Sequence, residues 1–252
     1  SVMLFNQDDV QLQVVRYALR PSPGHGHFFI LASGESGITS VDQLKGVDIG
    51  VSEGTVIEYV TRRLLEAEGF SREEIRTIAV PRIPDRMSML GSGALDAAVM
   101  PDPLAALAVQ QGSVIVADDS DYPEFGSSVY SFRSSFINEN AGAVRGFLEA
   151  VEEAVALINN EPVKYREVLG EQDILPSTLV DTYPVPPFPE AGVPGREEWD
   201  DARQWLVEKE LLEGEVSYDD SVLDDLLPGR STGAVETGDR HSAVLLVSDG
   251  HD

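Results

Sequence analysis

The 252-residue chain contains no cysteine. That excludes disulfides, thiolate metal sites and a cysteine nucleophile. Lysine is scarce: Lys45, Lys164 and Lys209 are the only three among 18 basic residues, which face 44 acidic ones for a formal net charge of −26. Such a chain repels nucleic acid, whose binding rests on phosphate neutralisation by Lys and Arg, and it repels anionic lipid. Self-repulsion of this size strains the compact state. Salt relieves it, the Debye length falling to about 3 Å at 1 M. Two readings of the acidity stand side by side, a salt-rich habitat or a GC-rich genome that favours Arg over Lys on an ordinary acidic surface. The chain also lacks the ~18-residue apolar run of a membrane span. Its start has no basic segment leading into an apolar one, so no signal peptide is read there.

Several chemical signatures are missing as well. There is no Gly-x-Ser-x-Gly elbow, no phosphate loop and no His-Glu-x-x-His. With 44 carboxylates, chance pairs are expected, so carboxylate pairs carry no weight. His25 and His27 flank Gly26, and the other two histidines, His241 and His251, lie near the C-terminus. A zinc site needs three or four ligands, so no metal and no cofactor are expected.

What is present is the pattern of a soluble α/β protein, with 42% apolar and 7% aromatic residues. Residues 1–9 read as a helix end and a turn. Gln11 to Leu19 and His27 to Ala32 read as strands, separated by the turn-rich Pro21 to Gly26. Ser40 to Leu44 reads as a short helix. From Val47 to Ala117, strands at 47–51, 75–80, 96–100 and 113–117 alternate with helices after residue 55, near 85–90 and at 103–111. This is the rhythm of a parallel α/β sheet. After a polar crossover at 118–127, Val129 to Phe132 reads as a strand. Helices follow at about 141–159 and 162–169. Tyr183 to Pro194 is Pro-rich and must be extended or turned. Glu197 to Leu212 and Asp219 to Leu227 read as helical. Residues 229–252 are rich in Gly, Ser, Thr and Asp and read as a loose tail.

Two stretches carry a family likeness. Ser36-Gly37-Ile38-Thr39-Ser40-Val41-Asp42-Gln43-Leu44-Lys45-Gly46 runs straight into Val47-Asp48-Ile49-Gly50-Val51-Ser52-Glu53-Gly54-Thr55. Leu90 to Pro103 follows a Gly-x-x-Asp-x-x-x-x-x-x-Pro pattern. In order and spacing this resembles the type II periplasmic solute-binding proteins of ABC importers, in the nitrate-, sulfonate- and thiamine-precursor-binding, NMT1/THI5-like group. The likeness spans about residues 5–227.

The resemblance implies a two-lobed periplasmic-binding-protein-like α/β fold, each lobe a mostly parallel sheet flanked by helices. Residues 1–46 would be part of lobe one and the first crossover, near 33–46; residues 47–117 would be lobe two, 118–128 the second crossover, and 129–228 the return of lobe one with the C-terminal helices. Relative to the family pattern, the N-terminal part of lobe one would be missing. The implied role is capture of a small organic or oxyanionic molecule between two lobes, which close on it by hinge motion. The implied partner is the membrane permease of an ABC transporter. The implied setting is extracytoplasmic, in the periplasm or at the cell surface, with any lipoprotein anchor outside this chain. The chain would act as a monomer and not as an enzyme. The alternative is an enzyme on the same fold, of the menaquinone- or pyrimidine-pathway type.

In open α/β sheets, ligands bind at the carboxyl ends of strands beside helix N-termini. Ser52, Glu53, Gly54 and Thr55 stand at such a place. Free N–H groups and the helix dipole there favour an anion, and Gly54 permits close approach. The same residues also read as an ordinary N-cap. Asp102, between Pro101 and Pro103, reads either as an acceptor for a ligand amine or as a helix cap. Asp85 after Pro84 is a weaker version of the same pattern. Tyr17 reads as a stacking platform or as core, and Arg20 as a partner for a carboxylate or sulfonate. Tyr183 and Phe188 sit on a Pro-rich strap.

Overall fold

The computed structural model of the chain describes residues 1–8, 10–172 and 174–229. Residues 230–252, nearly all of the expected loose tail, lie outside them. The elements in order are α1 (Val2–Gln7), β1 (Leu12–Leu19), β2 (Phe28–Ala32), a 3-10 turn (Val41–Leu44), β3 (Asp48–Val51), α2 (Val56–Ala67), β4 (Arg76–Ala79) and α3 (Ile83–Gly91). Then come β5 (Ala97–Pro101), α4 (Leu104–Gln110), β6 (Val114–Asp118), β7 (Ser128–Arg133), α5 (Ser134–Asn160), α6 (Pro162–Glu171), α7 (Arg196–Glu208) and α8 (Tyr218–Ser221). Every strand expected from the sequence is present within a residue or two. Among the described residues, no helix is long and apolar enough to cross a membrane.

The chain forms two compact units. One comprises residues 1–20, 127–160 and 188–229, and the other residues 21–126 and 161–187. The second unit holds a five-stranded sheet in the order β4-β3-β5-β2-β6. β3 runs parallel to β4 and to β5. β2 runs antiparallel to β5 on one side and to β6 on the other.

Alternation along the strands sorts the core into two layers, as period-2 geometry requires. Ile30, Ala32, Ile49, Val51, Ala97 and Val99 face one way, toward Leu64 and Leu65 of α2 and Leu44 of the 3-10 turn. Leu31, Ala98 and Met100 face the other way, toward Leu90 of α3 and Ala105 and Ala108 of α4. Buried on both faces, β2 is the continuous apolar run Phe-Phe-Ile-Leu-Ala. α2 begins where the Thr55 hydroxyl accepts the Ile57 N–H at 3.2 Å and ends before Gly69, whose φ of 87° favours glycine.

The first unit holds a two-stranded sheet. β1 and β7 form an antiparallel ladder, and Val14 bridges Val222. Val15 and Phe132 pack on Ile137, Val144 and Leu148 of α5, with Leu226 completing the cluster. α5 breaks its helical geometry at Asn140. Arg16 is fully buried on β1, yet it is well served: Nε meets Glu152 at 2.5 Å, Nη2 donates to the Pro189 carbonyl at 2.8 Å and Nη1 donates to the Tyr17 carbonyl.

Three expectations are corrected. β2, expected in the same lobe as β1, lies inside the sheet of the second unit, between β5 and β6. The boundary therefore falls at residues 20–21 and not in a crossover at 33–46, and residues 161–187 also join that unit. The sheet is mixed, with β3 parallel to both its neighbours, and the ladder of the first unit is antiparallel. Residues 222–227, expected to be helical, are not: Val222 is extended and takes the bridge to Val14.

Packing this close makes a core deletion expensive. Leu65→Ala, at a side chain with no exposure, is expected to lose about 2–5 kcal/mol of stability by chemical denaturation. Val163→Ser, at a residue 66% exposed, should stay within about 0.5 kcal/mol. Equal losses at the two sites would contradict the layering.

Candidate functional site

The carboxyl ends of β3, β4 and β5 lie along one edge of the mixed sheet, and each strand feeds the start of a helix. Side chains gathered on this edge are the candidate site. β3 leads into Ser52–Thr55 and α2. Thr55 is the N-cap residue, and its hydroxyl also donates to the Ser52 carbonyl at 2.7 Å. Gly54 has φ of 71°, and its N–H donates to Glu58 Oε2 at 2.9 Å. Glu58 is fully buried and pairs through Oε1 with Arg62 Nε at 3.1 Å. Glu53 is exposed. The Ser52 hydroxyl, 9% exposed, donates to the Pro81 carbonyl at 2.9 Å and accepts from Arg86 Nη1 at 2.7 Å.

Arg86 was not anticipated from the sequence. It has no exposed surface. Nη1 reaches Ser52 and, at 3.1 Å, the Val80 carbonyl, while Nε and Nη2 have no partner. Burial lowers its pKa to about 10, against the charged form. A signal was there to be read: Ile83, Arg86, Met87 and Leu90 share i, i+3, i+4, i+7 spacing, so the arginine sits on the apolar face of α3.

Asp102 follows β5. Its N–H donates to the His27 carbonyl at 2.8 Å, and its carboxylate accepts the Tyr183 hydroxyl. Burial pushes the carboxyl from its ordinary 3.8 up to about 7. The helix-cap reading of Asp102 is corrected, since α4 starts after Pro103 without a side-chain cap. Gly50 stands opposite Ala98 in the β3–β5 register, which puts Ser52 level with Met100. Asp102 lies two residues further along the neighbouring strand, about 8 Å from Ser52 by ordinary strand spacing and rise.

Asp85, in the first turn of α3, is exposed and pairs with Arg82 at 3.6 Å. Tyr17 and Arg20 belong to the first unit. The Tyr17 ring is 5% exposed and packs on Gly192, while its hydroxyl donates to Glu198 Oε2 at 2.5 Å. It is a core residue, the second of its two readings. Arg20 meets Glu198 Oε1 at 2.5 Å and lies 4.9 Å from the Tyr17 ring centre. Glu198, an acidic residue in the first turn of α7, thus holds both side chains.

His25 and His27 are both half-buried, and His27 sets Nδ1 3.2 Å from the Gly126 carbonyl. Among the described residues, no three His, Asp or Glu side chains converge for a metal.

A raised carboxyl pKa makes stability depend on pH in a definite direction. Asp102 holds its proton more tightly when folded than when unfolded, so its contribution to stability falls as pH rises from about 3.8 to about 7. Asp102→Asn, which keeps a polar partner for Tyr183, is expected to flatten that decline in Tm. Asp119, raised to about 6 by burial, adds its own fall in both proteins. Equal Tm–pH slopes for wild type and variant would contradict the burial of Asp102.

A model of the NMT1/THI5-like family matches residues 24–165. Comparison with curated proteins finds no match. Among solved structures, the chain is similar to the periplasmic aliphatic sulphonate-binding protein SsuA of Escherichia coli, with 22% identity over 89% of this chain and 77% of that one, at a TM-score of 0.72. It is similar to the alkanesulfonate-binding SsuA of Xanthomonas axonopodis pv. citri bound to MOPS, with 19% identity over 88% and 77%, at 0.69. It is also similar to the desulfurization enzyme DSZB, with 15% identity over 86% and 78%, at 0.61.

Proposed function

The chain belongs to the NMT1/THI5-like family, and from that premise we propose that it is the solute-binding component of an ABC importer, a receptor that captures a small organic or oxyanionic molecule outside the cytoplasm and delivers it to a membrane permease. The observation that carries this reading is the convergence on one sheet edge of Ser52–Thr55, Arg86 and Asp102. A helix start and a buried guanidinium favour an anionic group. A carboxyl at the neighbouring strand end favours a hydrogen-bond donor on the same ligand. A compact organic molecule with both polarities fits the pair.

The desulfurization enzyme among the similar structures is the observation on the side of catalysis. One of its solved structures carries a cysteine-to-serine change and holds biphenyl-2-sulfinic acid. This chain has no cysteine at any position, so chemistry that relies on that side chain has no counterpart here. The edge site offers an acid that accepts from Tyr183, a hydroxyl that donates to the Pro81 carbonyl and a cation that is only partly partnered. Holding a ligand uses such a set without any bond being made or broken.

A thermal-shift screen in high salt tests the role, with sulfonates, nitrate, thiamine precursors and amino acids as the panel. A cargo molecule at 100 times its Kd should stabilise the fold by about 2.7 kcal/mol, and it should be recovered chemically unchanged after incubation. Consumption of the stabilising molecule would move the assignment to an enzyme, and a panel without any shift would remove the support for a receptor.

A further inference from the structure

Asp119 follows β6 and has no exposed surface, so it offers nothing to a ligand directly. Oδ1 accepts the backbone N–H of His27 at 2.7 Å and that of Phe28 at 3.1 Å. Oδ2 is buried without a partner among the described residues. Burial pushes the carboxyl up to about 6, against the pull of those two N–H groups. The fold also keeps space clear for it. A Cβ at Gly126 would overlap Oδ2, and one at Gly26 would come within 3.1 Å of Oδ1. Neither glycine has a positive φ. The carboxylate, and not the backbone conformation, therefore excludes a side chain at both positions.

These contacts lie where the chain passes between the two units. It enters the second unit at Pro21 and leaves it after Gly126. On the first unit's side of the passage Leu19 pairs with Ser128. On the second unit's side a Cβ at Gly126 would be 3.0 Å from Pro21 Cγ, so the two passages run side by side. His27 connects them to the ligand edge. Its N–H goes to Asp119, and its Nδ1 stands 3.2 Å from the Gly126 carbonyl, which only a protonated nitrogen can serve. Its own carbonyl accepts the Asp102 N–H at 2.8 Å. The chain passes between the units again at residues 160–161 and 187–188. There the Asn159 amide exchanges hydrogen bonds of 2.9 Å with the backbone of Phe188. That tie is exposed to water, whereas the Asp119 tie is not.

We propose that Asp119 is a positioning residue that couples the ligand edge to the paired passages between the units. One carboxylate oxygen holds the His27 peptide, and His27 holds Asp102 on one side and Gly126 on the other. A shift of Asp102 is then transmitted to the passage at Gly126 through a short chain of hydrogen bonds, most of them to backbone groups. Removing the carboxylate leaves the N–H groups of both His27 and Phe28 without an acceptor, so the whole tie loosens together. The functional sense of this coupling rests on the reading of the strand ends as a small-molecule site. The tie itself belongs to the ligand-free chain.

The test uses the full chain without ligand. Because it has no cysteine, Glu73→Cys and Glu153→Cys, at exposed residues of the second and the first unit, take one spin label each. Pulsed electron spin resonance reads the distribution of the distance between the labels, and hydrogen exchange by NMR reads single amides. Asp119→Ala should broaden the distribution and speed exchange of the His27, Phe28 and Asp102 amides about tenfold, with Ile49 on β3 unchanged. Asp119→Asn keeps an oxygen for the two N–H groups and should stay near the wild type in both readouts. Leu65→Ala, a core deletion, should speed exchange across the sheet alike and leave the distribution as it is. An unchanged distribution in Asp119→Ala, or exchange speeded equally at Ile49 and Asp102, would overturn the inference. Should Asp119→Ala fail to fold, Gly126→Ala, whose methyl group must displace the carboxylate, decides the matter by the same two readouts. No ligand enters these measurements, so the receptor reading stands or falls separately, on the thermal-shift screen.

Discussion

Strand β2 is the constraint on which the larger sheet depends. Its five residues pair antiparallel with β5 on one edge and β6 on the other, so β6 reaches the rest of the sheet only through it. Ile30, Leu31 and Ala32 are essentially without exposure and supply core to both faces. The register of β2 on β5, with Phe28 opposite Pro101, also fixes where β5 ends. Just beyond that point the Asp102 N–H closes on the His27 carbonyl. On the far side of β5 stands β3, whose end delivers Ser52. The spacing of the two polar groups of the site is thus a consequence of ladder register. A one-residue slip of any of these strands would turn its side chains to the opposite face.

Two fully buried arginines show how this protein treats charge in its interior. Arg16 is surrounded by a carboxylate and two carbonyl oxygens, and it belongs to the scaffold of its unit. Arg86 has one hydroxyl and one carbonyl. The residue type and the burial are the same, and the difference lies in the missing acid. A chain with 44 acidic residues had every opportunity to provide one. Its absence at the edge where strand ends and helix starts converge is the physical reason to read Arg86 as functional.

Much of the secondary structure was legible because local pattern dictates it. The apolar positions of α2 fall at helical spacing between Thr55 and Gly69, and the strands are short apolar runs between turn residues. The place of β2 was not legible. A fully buried strand carries the same run of apolar residues whichever neighbour it takes, and nothing within Phe28–Ala32 says that it inserts between β5 and β6. The site was legible in part. Ser52–Thr55 and Asp102 lie at strand ends, as the alternation implied. Tyr17 and Arg20 also follow a strand, but Glu198, 178 or more residues later in the chain, takes both side chains. No spacing rule reaches across such a separation. Arg86 is legible only in its helical phase, because its place on the apolar face of α3 does not tell which groups will surround it.

The central proposal is that a small molecule bearing an anionic group binds at the turn Ser52–Thr55, on the edge that also carries Arg86 and Asp102. The most direct measurement is a crystal structure of the protein soaked with a bromine-labelled alkanesulfonate, with the label located by its anomalous signal. The account predicts one strong site at the carboxyl ends of β3 and β5, with sulfonate oxygens within hydrogen-bond distance of the turn and the label directed toward Asp102. A strong site elsewhere, with the turn empty and Arg86 unchanged, would contradict it.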